Sequence, residues 1–164
     1  MKIILMRHGN ALKGRIDHER GLSEEGVREA YAAGMFLRSI GEVPDVILHS
    51  TLRRSRETAE RVEAALEAEG LLEERGNLTP GDSPEHFHSG LMAEFDERLG
   101  SDYKVMVVGH DPFISDLASF LVWRYQCGLP FSTGTLLEAK GSNPKDAWDL
   151  CFYVRAKYLT RREA

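Results

Sequence analysis

Three short runs of consecutive apolar residues constrain this chain most: Ile3-Ile4-Leu5-Met6, Val46-Ile47-Leu48 and Val105-Met106-Val107-Val108. A strand with one wet face alternates apolar and polar residues, whereas an unbroken aliphatic run is buried on both faces. Each run is short enough for a strand, and the intervening stretches are long enough for crossover helices. Strand–helix alternation of this kind predicts an α/β three-layer sandwich, a mostly parallel sheet flanked by helices. At 164 residues the chain can build one good core and is too short for two ordinary domains. Residues 1–157 are therefore expected to form a single domain, with 158–164 as a basic C-terminal tail whose charged stretch begins at Lys157.

The helices follow from periodicity and capping. Ser23 precedes Glu24 and Glu25, an N-cap with acids in the first turn. Behind it Val27, Ala30, Tyr31, Gly34 and Leu37 fall on one face. Ser50 is placed to cap a second helix with the stripe Leu52, Ser55, Ala59, Val62 and Leu66, ending near Gly70. A third helix starts at Asp82 or Ser83, with Pro84 in its first turn and Phe87, Leu91, Phe95 and Leu99 on its core face. Residues 113–123 read as helix. Leu136–Ala139 and Trp148–Val154 read as two strands joined by the turn Gly-Ser-Asn-Pro-Lys-Asp, a hairpin at the end of the sheet.

Composition narrows the classes of partner. A formal charge of −5 argues against nucleic acid or an anionic membrane as the main partner. Any anion site must be a local cluster of arginines. The opening apolar run is too short for a membrane span and has no signal-type cleavage site behind it. Cys127 and Cys151 lack metal-type or redox-type spacing and read as reduced, structural thiols of a cytoplasmic protein.

Each predicted parallel strand ends in a polar cluster: Arg7-His8-Gly9, His49-Ser50 and Gly109-His110-Asp111. In open α/β sheets ligands bind beyond the carboxyl ends of the strands. On its own Arg-His-Gly is equally a surface turn or a site. If the three strands are parallel, however, His8 and His110 meet across one crevice. Arg54, about one helical turn after Ser50, would join them. Two arginines, two histidines and a helix start around one point make a phosphate-sized anion site. A neutral imidazole can attack phosphorus directly, and phosphoryl transfer needs little beyond alignment and charge neutralisation. No Walker loop, aspartate-rich magnesium site or zinc-ligand spacing is present. No cofactor or metal is called for.

These blocks resemble the histidine phosphatase superfamily, which includes phosphoglycerate mutase. Its Arg-His-Gly after the first strand is matched by Arg7-His8-Gly9. Its Ser-Pro-Leu-x-Arg-Ala-x-Gln-Thr-Ala block is matched by residues 50–59, which puts Arg54 on the family's phosphate-binding arginine. Its Gly-His-x-Pro is matched by Gly109-His110-Asp111-Pro112. The segment from Arg20 through Gly21-Leu22-Ser23 to Gly26 resembles the family's Arg-Pro-Leu-Thr-x-x-Gly helix start, and together the blocks span residues 1–115 in the family's order. Within the superfamily the short length and Leu78-Thr79-Pro80 are most similar to the small bacterial phosphohistidine phosphatases of signalling relays.

The resemblance implies a phosphoglycerate mutase-like fold with no sizeable cap domain and a shallow, open site. It implies a metal-independent phosphatase with a phosphohistidine intermediate, His8 as nucleophile, Arg7 and Arg54 as phosphate clamps, and His110 as donor and transition-state stabiliser. The implied substrate is phosphohistidine on a partner protein such as a phosphotransfer domain. Arg20 is either a phosphate-rim ligand or a structural partner of the acidic loop, and Gly9 is a further candidate phosphate contact. Asp82 or Glu85 is the candidate proton donor, although a helix-start role explains either equally. Thr133 resembles a family position near the pocket floor. Arg53 and Arg56 read as solvated, and His18, His49, His86 and His88 have no motif support. The alternatives are a small-molecule phosphomonoesterase of the same superfamily and a non-catalytic phosphoprotein-binding module.

Overall fold

A computed structural model describes residues 1–96, 102–125 and 127–160. In chain order the elements are β1 (Lys2–Arg7), a 3-10 turn (Asp17–Glu19), α1 (Glu24–Ser39), β2 (Val46–Ser50), α2 (Arg53–Leu66), β3 (Leu72–Arg75), α3 (Pro84–Asp96), β4 (Lys104–Gly109), α4 (Phe113–Trp123), β5 (Leu136–Lys140), β6 (Asp149–Val154) and α5 (Ala156–Leu159). They form a six-stranded sheet in the order β3-β2-β4-β1-β5-β6. The strands β3, β2, β4 and β1 run parallel, and β5 and β6 close that edge antiparallel.

The uninterrupted aliphatic runs do what burial on both faces requires. Ile3, Ile4, Leu5 and Met6 are all fully buried, yet successive residues enter different cores because strand side chains alternate. Ile3, Leu5, Val105 and Val107 pack with Phe87, Leu91, Phe113 and Leu117 from α3 and α4. Ile4, Met6, Met106 and Val108 pack with Ala30, Leu37, Ala59 and Val62 from α1 and α2. The predicted three layers are present, with helices on both faces of one sheet.

Several local expectations change. The buried face of α1 is Ala30, Ala33, Gly34 and Leu37, and Tyr31 lies outside it, half exposed. Ser50 does not cap α2, whose N-cap is Leu52. The side chain of Ser55 instead stitches the helix start to the sheet, accepting from Ser50 N and donating to the Val108 carbonyl. The strand β3 lies where none is predicted. Leu99, expected on the core face of the third helix, and Arg161 to Ala164 of the basic tail lie outside the described residues. The start of the tail is not wholly solvated, since Leu159, in α5, packs against the core beside α1 and α2. Both cysteines are free and exposed, so neither packs as a structural thiol. Among the described residues no helix is long and apolar enough to cross a membrane.

Candidate active site

The strand order sets the site. Because β4 lies between β1 and β2, the ends that carry Arg7, His49-Ser50 and Gly109 are neighbours on one rim. His8 and His110 face each other there with ring centroids 4.9 Å apart. The helix α2 starts beside them and delivers Arg54.

His8 is buried, and its bonding fixes its tautomer. Nδ1 lies 2.7 Å from the Gly9 carbonyl, which can only accept, so Nδ1 carries the proton. Nε2 therefore keeps its lone pair, and Arg54 Nε donates to it at 3.3 Å. Burial, followed by the charges of Arg54, Arg7 and Arg20, lowers the His8 pKa to about 4, against the Gly9 carbonyl, which raises it. The ring is neutral at physiological pH.

His110 is neutral for related reasons. Burial first, then His8 and Arg54, bring its pKa to about 3. Its Nε2 pairs with Ser50 Oγ at 2.5 Å, and Leu52 N–H donates to the same oxygen. The Ser50 hydroxyl carries one donor and two acceptor lone pairs, so either ring tautomer satisfies this pair, and His110 Nδ1 is buried without a hydrogen-bond partner. Arg7 Nε is likewise buried and unpartnered. A buried unpaired polar group costs roughly 1–3 kcal/mol, and of the two the guanidinium Nε–H of Arg7 is a donor suited to a bound oxyanion.

The arginines are held by carboxylates and carbonyls from distant parts of the chain. Arg7 Nη1 donates to Asp111 Oδ2 at 3.0 Å and to the Phe131 carbonyl at 2.6 Å. Arg54 Nη1 and Nη2 donate to the carbonyl and carboxylate of Asp17 at 2.8 and 3.1 Å. Arg20 Nη1 holds the other Asp17 oxygen at 3.0 Å, and its Nε donates to the Leu12 carbonyl. Arg54 and then Arg20 keep the Asp17 carboxyl below its ordinary range, as an anion. Arg20 thus takes the acidic-loop role, and Asp17 sits on the nitrogens of Arg54 that a phosphate would use.

Gly9 serves geometry. Its N–H is spent on Thr58 Oγ1 at 3.0 Å, so it is not free for phosphate. A Cβ on Gly9 would lie 2.6 Å from the Gly26 carbonyl oxygen. The loop that carries His8 rests directly on the backbone of α1. Buried Glu29 holds this loop from below: its carboxylate accepts from Asn10 N at 2.7 Å and from Thr133 Oγ1 at 3.2 Å. Burial raises the Glu29 pKa.

The other candidates are placed as follows. Asp82 Oδ2 accepts from both the N–H and the hydroxyl of Thr79, closing the turn before α3, and Ser83 Oγ rather than Asp82 takes the His86 N–H at the helix start. Glu85 is exposed in the first turn. Arg53 and Arg56 are exposed and pair with Glu57 and Glu60. Sequence reasoning missed Asp17 and Glu29 because Arg54 and Asn10, which they hold, lie far along the chain; Thr58 and the Ser50–His110 pair had a signal in the matched blocks.

Comparison with known proteins bears on the family and the fold. Residues 3–76 match the family model of the histidine phosphatase superfamily (branch 1). An uncharacterized protein of Mycobacterium tuberculosis is 34% identical over 119 residues, 71% of this chain and 69% of the relative. The chain belongs to the histidine phosphatase superfamily. An uncharacterized chloroplastic protein of Arabidopsis thaliana is 28% identical over 158 residues, 91% of this chain and 71% of the relative.

Among solved structures, the protein histidine phosphatase SixA complexed with tungstate superposes with a TM-score of 0.85 at 22% identity, covering 97% of this chain and 99% of that one. A putative phosphohistidine phosphatase SixA from Nakamurella multipartitia gives 0.74 at 27% identity, covering 94% and 95%. A mycobacterial glucosyl-3-phosphoglycerate phosphatase gives 0.70 at 19% identity, covering 94% and 98%.

Proposed function

We propose that this protein is a phosphatase that removes the phosphoryl group from phosphohistidine on a partner protein, through a phosphoryl-His8 intermediate. The observation that carries the reading is the state of His8: neutral, protonated on Nδ1, with an Nε2 lone pair that accepts from Arg54 Nε at 3.3 Å.

The phosphate enters with its oxygens on Arg7 and Arg54, displacing Asp17 from the latter and drawing the Arg54 Nε–H off His8 Nε2, whose lone pair is then free. The His8 Nε2 pair forms a bond to phosphorus while the bond to the substrate imidazole breaks. The leaving imidazole keeps that electron pair and takes a proton from solvent. Water then attacks phosphorus, the P–Nε2 bond returns its pair to His8, and inorganic phosphate leaves. His110 and Arg7 meet the oxygens where charge concentrates, the usual location of the largest catalytic contribution. The positive charges of Arg7, Arg54 and Arg20 repel a metal ion and suit an anion.

Two features favour phosphohistidine over an ester. An alkoxide leaving group needs a positioned acid, whereas an imidazole leaves more readily. Asp82 is tied to Thr79 and Glu85 is exposed, so neither is held as that acid. The chain between α2 and β4 is taken up by β3 and α3, which supports a site open to a folded partner. The likeness to a glucosyl-3-phosphoglycerate phosphatase keeps a small-molecule ester as the second reading.

Rapid quench with a histidine-phosphorylated, radiolabelled phosphotransfer domain tests the proposal, alongside alkyl phosphates. Transient acid-labile label on His8 and turnover far above that of alkyl phosphates are expected. Activity that survives His8→Ala with no trapped label would sink the mechanism. Preference for alkyl phosphates would favour the second reading.

A further inference from the structure

The loop between β1 and α1 does more than carry Asp17. It is pinned at its base by the bridge between Ala11 and Leu22 and by Leu12 N–H donating to the Gly21 carbonyl. Beyond that base it turns outward and, with Arg53 of α2, walls a groove of about 370 Å³. Leu12 and Ile16 line the groove and are 55% and 50% exposed. Lys13 and Arg15 line it as well and have no ion pair among the described residues, whereas Arg20 and Arg53 are paired with Asp17 and Glu57. One acid, Glu19, also faces the groove.

This placement is unusual in a chain of net charge −5. Uncompensated positive charge and exposed aliphatic surface coincide on one loop, and the loop touches the site: Arg20 holds Asp17, Asp17 holds Arg54, and Arg54 donates to His8. A groove for a small phosphate ester would bury its donors. Here the cations are solvated and the aliphatic side chains project, the arrangement of a protein-docking rim, where charge steers encounter and apolar contacts hold.

We infer that the Leu12–Ile16 loop is the docking surface for the protein that presents the phosphohistidine, and that it receives an acidic surface of that protein with an apolar residue at its centre. The inference rests on the phosphohistidine reading and adds to it where the partner is recognised. Lys13 and Arg15 meet the carboxylates, while Leu12 and Ile16 cover the apolar residue. Complementary charge at a rim acts mainly on association and is screened by salt. The loop should therefore act on kcat/KM for a protein substrate and leave hydrolysis of a small phosphate unchanged.

The test compares the full-length protein with the double variants Lys13→Glu/Arg15→Glu and Leu12→Ser/Ile16→Ser on two substrates. One is a phosphotransfer domain phosphorylated on histidine with phosphoramidate; the other is phosphoramidate itself. All four side chains are solvent-facing, and circular dichroism verifies that the variants fold. For the charge reversal we expect kcat/KM on the phosphoprotein to fall about ten-fold or more at low salt, with the wild-type salt dependence lost. The serine pair should raise KM for the phosphoprotein, and phosphoramidate hydrolysis should stay within two-fold of wild type.

Equal loss on both substrates overturns the inference, because the groove then shapes the site or binds a small anion. No loss on either overturns it too. If wild type hydrolyses phosphoramidate and leaves the phosphoprotein intact, the phosphohistidine-protein reading fails, and docking fails with it. If wild type cleaves the phosphoprotein and the variants do so equally well, docking alone is refuted.

Discussion

Replacing Gly26 by alanine should disable the site while leaving the fold standing. A Cβ at Gly26 would lie 2.0 Å from the Asn10 carbonyl oxygen, 2.8 Å from Asn10 N and 2.9 Å from Asn10 C. All three are backbone atoms, so no side-chain rotation relieves the overlap. Ordinary contact begins near 3.4 Å, so helix and loop must part by more than an ångström. Asn10 follows His8 and Gly9, whose carbonyl orients the His8 ring; displacing this loop moves Nε2 against Arg54. A misplacement of roughly 1 Å costs about 10²-fold in rate, or ~2.7 kcal/mol of barrier.

The cost in stability is smaller. Overpacking costs about 1–3 kcal/mol, and exchanging glycine for alanine in a helix returns up to about 1 kcal/mol. At roughly 2–4 °C per kcal/mol for a chain of this size, the melting temperature should fall by less than about 12 °C. Steady-state hydrolysis of p-nitrophenyl phosphate and scanning calorimetry measure both quantities. Gly90→Ala in α3 is the control, since its Cβ meets nothing within 4 Å. It should keep full activity. A folded Gly26→Ala protein with kcat within three-fold of wild type would refute the backbone-contact argument.

Burial depresses His8, His88 and His110 to pKa values of about 4, 4 and 3, so as pH falls below 6.5 the unfolded chain takes up protons that the folded chain refuses. Each histidine therefore removes up to ~1.4 kcal/mol of stability per pH unit between about 6.5 and its folded pKa. Urea titrations from pH 7 to 4.5 should show this decline, and NMR ring shifts should stay those of neutral imidazole to pH 5; titration of these rings near 6.5 would contradict it. Asp17→Asn removes the anion that competes for Arg54, and Asp17 is an exposed partner, so inhibition by orthophosphate should tighten about two- to five-fold (~0.5–1 kcal/mol). Unchanged or weaker inhibition would show that the carboxylate does not compete. Ser50→Ala strips His110 Nε2 of its partner and should lower stability by about 1–3 kcal/mol, with kcat down about ten-fold; wild-type kcat would separate Ser50 from the site.

The central sheet was legible because β1, β2 and β4 are buried on both faces and read as unbroken aliphatic runs. At the edge the signal fails. In β3, Leu72-Glu73-Glu74-Arg75 has one apolar residue, and its side chains are half-buried or exposed, so pairing with β2 rather than composition makes it a strand. Tyr31 was misplaced because helical spacing locates a face only to within a side chain or so, and Ala33 fills the position that packs. The rim residues His8, Arg54 and His110 were legible through their place after strands or at a helix start. What holds them was not. Asp17 meets Arg54 across 37 positions and Arg7 meets Asp111 across 104, contacts that only the strand order creates.

Thr58 spans the joint between two of those elements. Its hydroxyl accepts from Gly9 N at 3.0 Å and donates to the Arg54 carbonyl at 2.7 Å. The loop after β1 and the first turn of α2 are thereby coupled into one mechanical unit. If α2 slides on the sheet or the sheet changes its twist, His8 Nε2 and the Arg54 guanidinium travel together, and their spacing is insulated from the rest of the molecule's breathing.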